Sequence, residues 1–305
     1  MNATDKTDWT DERHRRIIEE QRRYMWTPEQ LARLATWYGL KPGMTLLDLG
    51  CGYGYVGSAY GPYVAPGGRV VGVDRECALV DEARRRAAPA SCGARTDVVA
   101  GDACAVPLAD ASADAAFCQT LLMHLVAPER ALAEMVRVVK PGGLVAANEP
   151  DHLALGAGYY SAVPFDRDVF LRDMALWLTC YEGRKKRGRG DYAIGGRVPE
   201  MMRALGLEDI DVRLNEKVYC LVPPYETPFQ RHVRDMTLAN IARRDEWKDE
   251  GREDYVAGGG AADVWDREWE RTAARDERIG AALEAGELFA TSVVAFYAFK
   301  ARKPR

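Results

Sequence analysis

The residues in this sequence best suited to chemistry are acids and glycines at the ends of predicted strands. Asp48 lies in the apolar stretch Thr45–Gly54 (TLLDLGCGYG), Asp74 ends the stretch RVVGVD, and Asp102 ends the stretch DVVAGD. Three glycines at alternate positions follow Asp48: Gly50, Gly52 and Gly54. A strand that ends in a glycine turn lets a ligand approach the backbone closely. Carboxylates beside such a turn can accept hydrogen bonds from hydroxyls or amines of that ligand.

Two kinds of cofactor use this type of turn. Residues 52–57 match G-x-G-x-x-G, the dinucleotide fingerprint. The larger pattern from Asp48 to Gly54, DLGCGYG, resembles motif I of the class I S-adenosylmethionine-dependent methyltransferases. In that family the acid and the turn hold the amino-acid end of a cofactor without a pyrophosphate. A carboxylate attracts an ammonium and would repel a pyrophosphate, so the resemblance favours a methyltransferase. An NAD(P)-binding oxidoreductase is the alternative from another enzyme class, and a sensor that binds the cofactor without turnover is a third hypothesis.

The resemblance also implies how the cofactor, S-adenosylmethionine, is held. It places Asp74 against the ribose hydroxyls, a device that NAD enzymes share, and Asp102 against the adenine amine, with the Ala103 N–H toward the ring. The alternatives are a helix cap for Asp74 and a loop cap for Asp102. The predicted cofactor-binding residues are Asp48, Gly50, Gly52, Gly54, Asp74, Arg75, Asp102, Ala103, Gln119 and Tyr24.

The predicted catalytic residues are Glu149, His124 and Asp151. The segment NEPDH follows the fifth predicted strand, and its two carboxylates could hold a cationic amine or guanidine and accept its proton. The alternative is a solvated turn around Pro150. His124 is a candidate base, although a histidine that packs at a helix start against the cofactor is the more common case.

The acceptor is predicted to be a small molecule. The N-P-P-Y-type segment of amino-methylases and the paired glutamates of protein arginine methyltransferases do not follow the fourth strand, which disfavours nucleic-acid and protein-arginine substrates. A nitrogen of an amine, guanidine or amino-acid derivative is preferred, and an oxygen or carbon of a quinone- or polyketide-like molecule is the alternative. The predicted substrate-binding residues are Tyr24, Trp26, Glu149, His152, Tyr159 and Tyr160. Their aromatic rings could cage a cation or exclude water, or simply pack in the core.

Composition narrows the classes of protein. The chain has 305 residues, a net charge of −4, four histidines and seven cysteines without a C-x-x-C pair. We therefore expect a cytoplasmic enzyme with no nucleic-acid partner and no metal site. The absence of a long apolar run predicts no membrane segment, and the charged N-terminus predicts no secretory signal. The oligomeric state is left open, with a homodimer as one alternative.

Strands alternate with helices in a way that predicts a doubly wound α/β fold with a mostly parallel sheet. After Thr45–Leu49, the predicted strands are Arg69–Asp74, Asp97–Asp102, Ala113–Cys118, Leu144–Asn148, Ile210–Leu221 and Thr291–Lys300. The family resemblance, strong over 40–150 and weak over 195–221 and 286–302, implies seven strands with helical insertions that form a lid.

We expect a helical arm or lid at 1–39, a cofactor-binding core at 40–150, a substrate-lid insertion at 151–196 and the rest of the core at 197–305, with a helical insertion at 222–285. The basic run 184–189 is predicted to be a mobile surface loop.

Overall fold

The computed structural model describes residues 9, 11–23, 26–87, 93–154, 158–215, 218–293 and 295–305. Its helices are α1 (Glu12–Arg23), α2 (Pro28–Tyr38), α3 (Tyr55–Val64), α4 (Cys77–Ala87), α5 (Pro128–Val138), α6 (Arg167–Lys186), α7 (Val198–Ala204), α8 (Pro228–Ala242), α9 (Lys248–Gly258) and α10 (Ala262–Glu284). Its strands are β1 (Thr45–Leu49), β2 (Arg69–Asp74), β3 (Arg95–Ala100), β4 (Ala113–Gln119), β5 (Val139–Pro150), β6 (Tyr159–Tyr160), β7 (Glu208–Leu214), β8 (Val218–Leu221), β9 (Ala290–Val293) and β10 (Phe296–Arg302).

The described residues form two compact units. The core unit contains the described residues of 9–151, 192–215 and 295–305, and the insertion unit contains those of 152–191 and 218–293. The two predicted insertions therefore pack together as one unit. No described helix is both long enough and apolar enough to cross a bilayer.

The core unit is built on a seven-stranded sheet in the order β3-β2-β1-β4-β5-β10-β7. The first five strands pair in parallel, and β10 runs antiparallel between β5 and β7. This arrangement confirms the predicted doubly wound, mostly parallel fold. Because the parallel strands share one direction, the carboxyl ends of β1 to β5 meet at the same edge of the sheet, where α/β folds bind ligands.

Alternation along the central strands supplies a core on each face of the sheet. Leu47 and Leu49 of β1 pack with residues of α5 and α7, whereas Leu46 packs with residues of α2 and α3. On the second face the ring of Phe117 lies 5.1 Å from that of Tyr38 and 5.2 Å from that of Tyr60. Described helices therefore cover both faces of the sheet.

The sequence TPEQ at residues 27–30 is a capping-box pattern and Gly39 is a typical helix stop, so the sequence predicts a helix between them, and α2 occupies that span. The Thr27 hydroxyl accepts the Gln30 N–H, and the Gln30 side chain accepts the Thr27 N–H, which is a capping box. Gly39 ends the helix at φ +73°, a left-handed conformation that favours glycine.

Helices α6 and α9 approach so closely that only glycine fits at their contact in the insertion unit. A Cβ on Gly183 would lie 1.6 Å from the Asp254 carbonyl oxygen, and one on Gly258 would lie 2.0 Å from that of Thr179. A separate three-stranded sheet in this unit has the order β6-β9-β8. The insertion unit therefore has its own packing and its own sheet.

Three predictions about local structure were wrong. The predicted strand Ile210–Leu221 is two strands, β7 and β8, which belong to different sheets. The predicted strand Thr291–Lys300 likewise divides into β9 and β10. The basic run is also no surface loop, because Arg184 closes helix α6 and Arg184 and Arg189 are buried against Glu250 and Asp254.

Candidate active site

The glycine turn after β1 has the backbone shape that its sequence predicts. Gly50, Gly52 and Gly54 have φ values of +68°, +50° and +76°, which side chains other than glycine rarely adopt. The Gly50 N–H donates to the carbonyl oxygen of Val73 on β2 at 2.8 Å. A Cβ on Gly52 would meet nothing within 4 Å, so the peptide at Gly52 faces open space.

Asp74 ties the turn to the end of β2. Its Oδ2 accepts the Gly52 N–H at 2.9 Å, and its Oδ1 accepts the Glu76 N–H at 3.0 Å. Burial raises the pKa of Asp74 above its ordinary value, although both backbone donors act in the opposite direction. Asp74 therefore also makes a cap-like contact just before α4. Each oxygen of a carboxylate can accept more than one hydrogen bond, so the side chain can still receive a ligand hydroxyl.

Asp48, Asp102 and Arg75 occupy different environments near the same edge. Asp48 is 2% exposed, and its Oδ2 accepts the Gly57 N–H of α3 at 3.3 Å. Asp102 is exposed and accepts the Cys104 N–H at 2.8 Å, with Ala103 half-buried between them. Arg75 is exposed and pairs with Glu76, so its predicted contact with the cofactor remains a prediction.

The end of β4 is held by a buried polar network. The Gln119 Oε1 accepts the Trp26 indole N–H at 3.3 Å and the Asn148 amide at 3.5 Å. Asn148 in turn accepts the Tyr38 hydroxyl at 2.9 Å. Trp26 is 8% exposed and packs edge-on against Phe296, so it is a core residue. Tyr24 lies outside the described residues.

The placement of Glu149 is inconsistent with its predicted role as a base that contacts substrate. Its side chain is fully buried, at 0% exposure. The Oε1 accepts the N–H groups of Leu121 and Leu122, both at 2.9 Å, and the Oε2 accepts that of Met123 at 3.4 Å. The carboxylate thus holds the backbone that follows β4.

Asp151 makes a similar contact with the backbone. It is 7% exposed, and its Oδ2 accepts the Gly196 N–H at 3.0 Å, in the 3-10 turn Gly195–Arg197. This bond gives Asp151 a role in the fold, which argues against its predicted role in proton transfer.

The other predicted substrate residues belong to the insertion unit. The His152 Nδ1 lies 3.3 Å from the Tyr181 hydroxyl, and Tyr159 and Tyr160 form β6. Glu149 and Asp151 belong to the core unit. The grouping of these residues as one acceptor site remains a prediction.

Residues of the N-terminal arm contact both sides of the core unit's candidate site. The ring of Trp9 lies 4.6 Å from that of His124 in the 3-10 turn Leu122–His124, and His124 also packs edge-on against Tyr192. On α1, the Arg15 Nε donates to the hydroxyl of Tyr53, inside the glycine turn, at 3.0 Å. Sequence reasoning missed Trp9 and Tyr53, and the available signal was an aromatic residue in each of two otherwise polar or glycine-rich stretches.

The arrangement suits a nucleoside-type cofactor. Open backbone at Gly52 and acids at the ends of β1 and β2 lie at one edge of a parallel sheet, with Asp102 just beyond β3. Among the described side chains, no group of three or more His, Cys, Asp or Glu is placed to hold a metal ion. The fold and this edge together define a cofactor-binding α/β protein.

The comparisons with known proteins agree with that class. Residues 47–147 match a family model described as a methyltransferase domain. Over 121 residues, the chain is 40% identical to an uncharacterized 37.1 kDa protein in transposon TN4556 of Streptomyces fradiae, covering 39% of this chain and 34% of that protein. Over 118 residues, it is 36% identical to the demethylmenaquinone methyltransferase of Renibacterium salmoninarum, covering 39% and 46%.

A solved SAM-dependent methyltransferase from Methanosarcina mazei shares the fold. Its TM-score is 0.51 at 15% identity, with 89% of this chain and 97% of that chain covered. The domain match over 47–147 and the seven-stranded fold support the class I S-adenosylmethionine-dependent methyltransferases as the family that this chain resembles. The chain spans between a third and a half of the length of the two curated relatives described above.

Proposed function

We propose that this protein transfers the methyl group of S-adenosylmethionine to a small-molecule acceptor. The observation that carries the proposal is the turn of three left-handed glycines with Asp48 and Asp74 around it. The seven-stranded topology and the methyltransferase-domain match support it.

The residues of the chain fit the parts of this cofactor. Asp48 would offer negative charge to the ammonium, Asp74 would accept the ribose hydroxyls, and Asp102 would accept the adenine amine. When bound, the cofactor supplies an electrophilic methyl group on a sulfonium. The protein's tasks are then to orient the acceptor and to exclude water. Trp9 and His124 are suited to excluding water, because their rings pack together beside the end of β4.

The acceptor that we favour is a carbon or oxygen of a molecule without a cationic group. The preference for an amine depended on Glu149 and Asp151, and both carboxylates bind backbone N–H groups within the fold. A buried carboxylate that satisfies several N–H groups would lose those bonds if it turned toward a ligand. The similarity to a demethylmenaquinone methyltransferase also supports a non-cationic acceptor.

The first test is which cofactor stabilises the native protein. We expect S-adenosylmethionine and S-adenosylhomocysteine to raise the melting temperature, and NAD and NADP to leave it unchanged, because only a ligand of the native state stabilises it. At a hundredfold excess over Kd the stabilisation is about 2.7 kcal/mol. Stabilisation by NAD alone would overturn the proposal.

The second test identifies the acceptor. Protein is incubated with methyl-labelled cofactor and matched panels of phenols, quinols and amines. We expect label in the phenol or quinol panel. Label in the amine panel alone would refute the preferred acceptor but preserve the methyltransferase. Cofactor binding with no transfer to any panel would favour the sensor hypothesis.

A further inference from the structure

We propose that Glu149 is a positioning residue that holds residues 120–123 in the shape required for cofactor binding. The inference rests on the proposed function, since it concerns the same site. It assigns to this carboxylate a task that differs from catalysis and from general packing.

Three consecutive backbone N–H groups converge on this one side chain. Leu121 and Leu122 donate to Oε1 at 2.9 Å, and Met123 donates to Oε2 at 3.4 Å. An ionised carboxylate only accepts hydrogen bonds, so it suits three donors where an amide side chain would suit fewer. Hydrogen bonds to a charged acceptor are also stronger than those between neutral groups.

The backbone immediately before the three N–H groups that Glu149 accepts is strained. Thr120 has a φ of +47°, which a β-branched residue rarely adopts. Its N–H donates to the Asn148 carbonyl oxygen at 2.9 Å, next to Glu149 on β5. Such a conformation persists only where its surroundings impose it, and the carboxylate supplies that constraint on the residues that follow.

The same segment forms one side of the glycine turn. A Cβ on Gly50 would lie 2.7 Å from the Cδ1 of Leu121, so the Leu121 side chain packs directly on the first glycine. Movement of the Leu121 backbone would therefore move the surface beneath the turn. Glu149 is fully buried and acts on the cofactor site through Leu121.

The test compares Glu149→Gln with the wild-type protein by two measurements. The first is amide hydrogen exchange at residues 121–123 without any ligand. The second is the Kd for S-adenosylhomocysteine by calorimetry. We expect exchange at these amides to become roughly tenfold faster and the Kd to rise roughly tenfold, because the amide side chain cannot accept all three N–H groups.

Asp114→Asn is the matched control. Asp114 accepts the Thr45 N–H at 2.8 Å near the amino-terminal ends of β4 and β1, at the sheet edge opposite the glycine turn. This variant should lower the melting temperature and leave the Kd unchanged. A purely structural role for Glu149 would give both variants the same result, namely lower stability with an unchanged Kd in the folded protein, and would overturn the inference.

A second variant tests the coupling with strain. In a Thr120→Gly background, glycine adopts the positive φ without cost, so Glu149→Gln should raise the Kd by a smaller factor than in the wild-type background. An equal factor in both backgrounds would overturn the inference. Failure of Glu149→Gln to fold in either background would also overturn the inference, because the residue would then serve the whole fold.

If the wild-type protein binds no S-adenosylhomocysteine, the proposed function and its positioning residue fail, whereas the exchange result still shows whether Glu149 holds the loop.

Discussion

Gly52 is the glycine of the turn whose missing side chain leaves open space. We expect Gly52→Ala to weaken S-adenosylhomocysteine binding by at least tenfold, because its Cβ would project into the space assigned to the cofactor. The left-handed backbone itself costs about 1–2 kcal/mol for alanine. Calorimetry measures the affinity and chemical denaturation measures the stability.

Gly206→Ala is the control for backbone strain. Gly206 has a φ of +76°, and a Cβ there would also meet nothing within 4 Å. Its variant should lose a similar amount of stability and keep the wild-type affinity. Equal affinities for the two variants would mean that the space at Gly52 is not the cofactor site.

Asp74 should make cofactor binding depend on pH. Burial raises its pKa in the free protein, and ribose hydroxyls that donate to the carboxylate favour its charged form. Affinity should therefore be constant well above the raised pKa and should fall as the pH drops through it. Burial disfavours the charged carboxylate of Asp74. The raised pKa therefore adds nothing to the free energy of unfolding at neutral pH. Titrating the S-adenosylhomocysteine affinity of Asp74→Asn checks the assignment, because that variant should bind more weakly and lack this dependence.

Helix α5 holds loop 101–112, which contains Asp102, through hydrogen bonds to the loop backbone. Arg137 donates to the carbonyl oxygens of Val106 and Leu108 at 2.9 and 2.8 Å. Glu134 accepts the Val106 N–H at 2.6 Å and pairs with Arg137. We expect Glu134→Gln to destabilise the protein by about 1–2 kcal/mol at neutral pH, because a partly buried charged hydrogen bond is lost.

The pH dependence of that loss follows from the direction of the shift. The hydrogen bonds from Arg137 hold the pKa of Glu134 below its ordinary value. The stabilisation is therefore complete above the ordinary glutamate pKa and disappears as the pH falls through the lowered one. Denaturation curves of Glu134→Gln and wild type should converge in acid. A difference in the free energy of unfolding that stays constant at all pH values would contradict the proposed role of the Glu134 carboxylate.

The elements that could be predicted are those whose cause is local. The capping box at Thr27 and the strands that flank the glycine turn depend on residues a few positions apart, and the structure confirms them. The burial of the basic run 184–189 could not be predicted from neighbouring residues. Arg184 and Arg189 are buried because they meet Asp254, about seventy positions along the chain. Charge density predicts a solvated loop unless the partner is known.

The candidate site shows the same division. The glycines and Asp74 were recognisable because their spacing alone defines a turn next to a strand end. Glu149 was predicted to contact substrate because a carboxylate at a strand end resembles a ligand-binding group, and the sequence does not show which backbone N–H groups it meets. The donors at Leu121 and Leu122 follow strand β4, and only the fold specifies that β4 pairs in parallel with β5, the strand that contains Glu149.

The two units suggest separate roles in cofactor binding and acceptor binding. Disturbing the helix packing of the insertion unit tests this. The predicted cofactor residues that the structure describes lie in the core unit, and the insertion unit contains the predicted acceptor residues Tyr159 and Tyr160. At Gly183 a Cβ would lie 1.6 Å from a backbone oxygen of α9, so alanine must push the two helices apart. We expect Gly183→Ala to abolish more than nine-tenths of methyl transfer while S-adenosylhomocysteine binding stays within about twofold of wild type.

Gly280→Ala is the matched control, since Gly280 also lies in a helix of the insertion unit. A Cβ there would meet Ile241 at 3.7 Å, an ordinary contact, and alanine favours a helix over glycine by about 1 kcal/mol. This variant should keep its activity and gain slightly in stability. If Gly183→Ala instead lost cofactor binding in proportion to activity, the insertion unit would serve the cofactor site and not the acceptor. Full activity in a folded Gly183→Ala protein would show that the close contact of α6 with α9 has no part in catalysis.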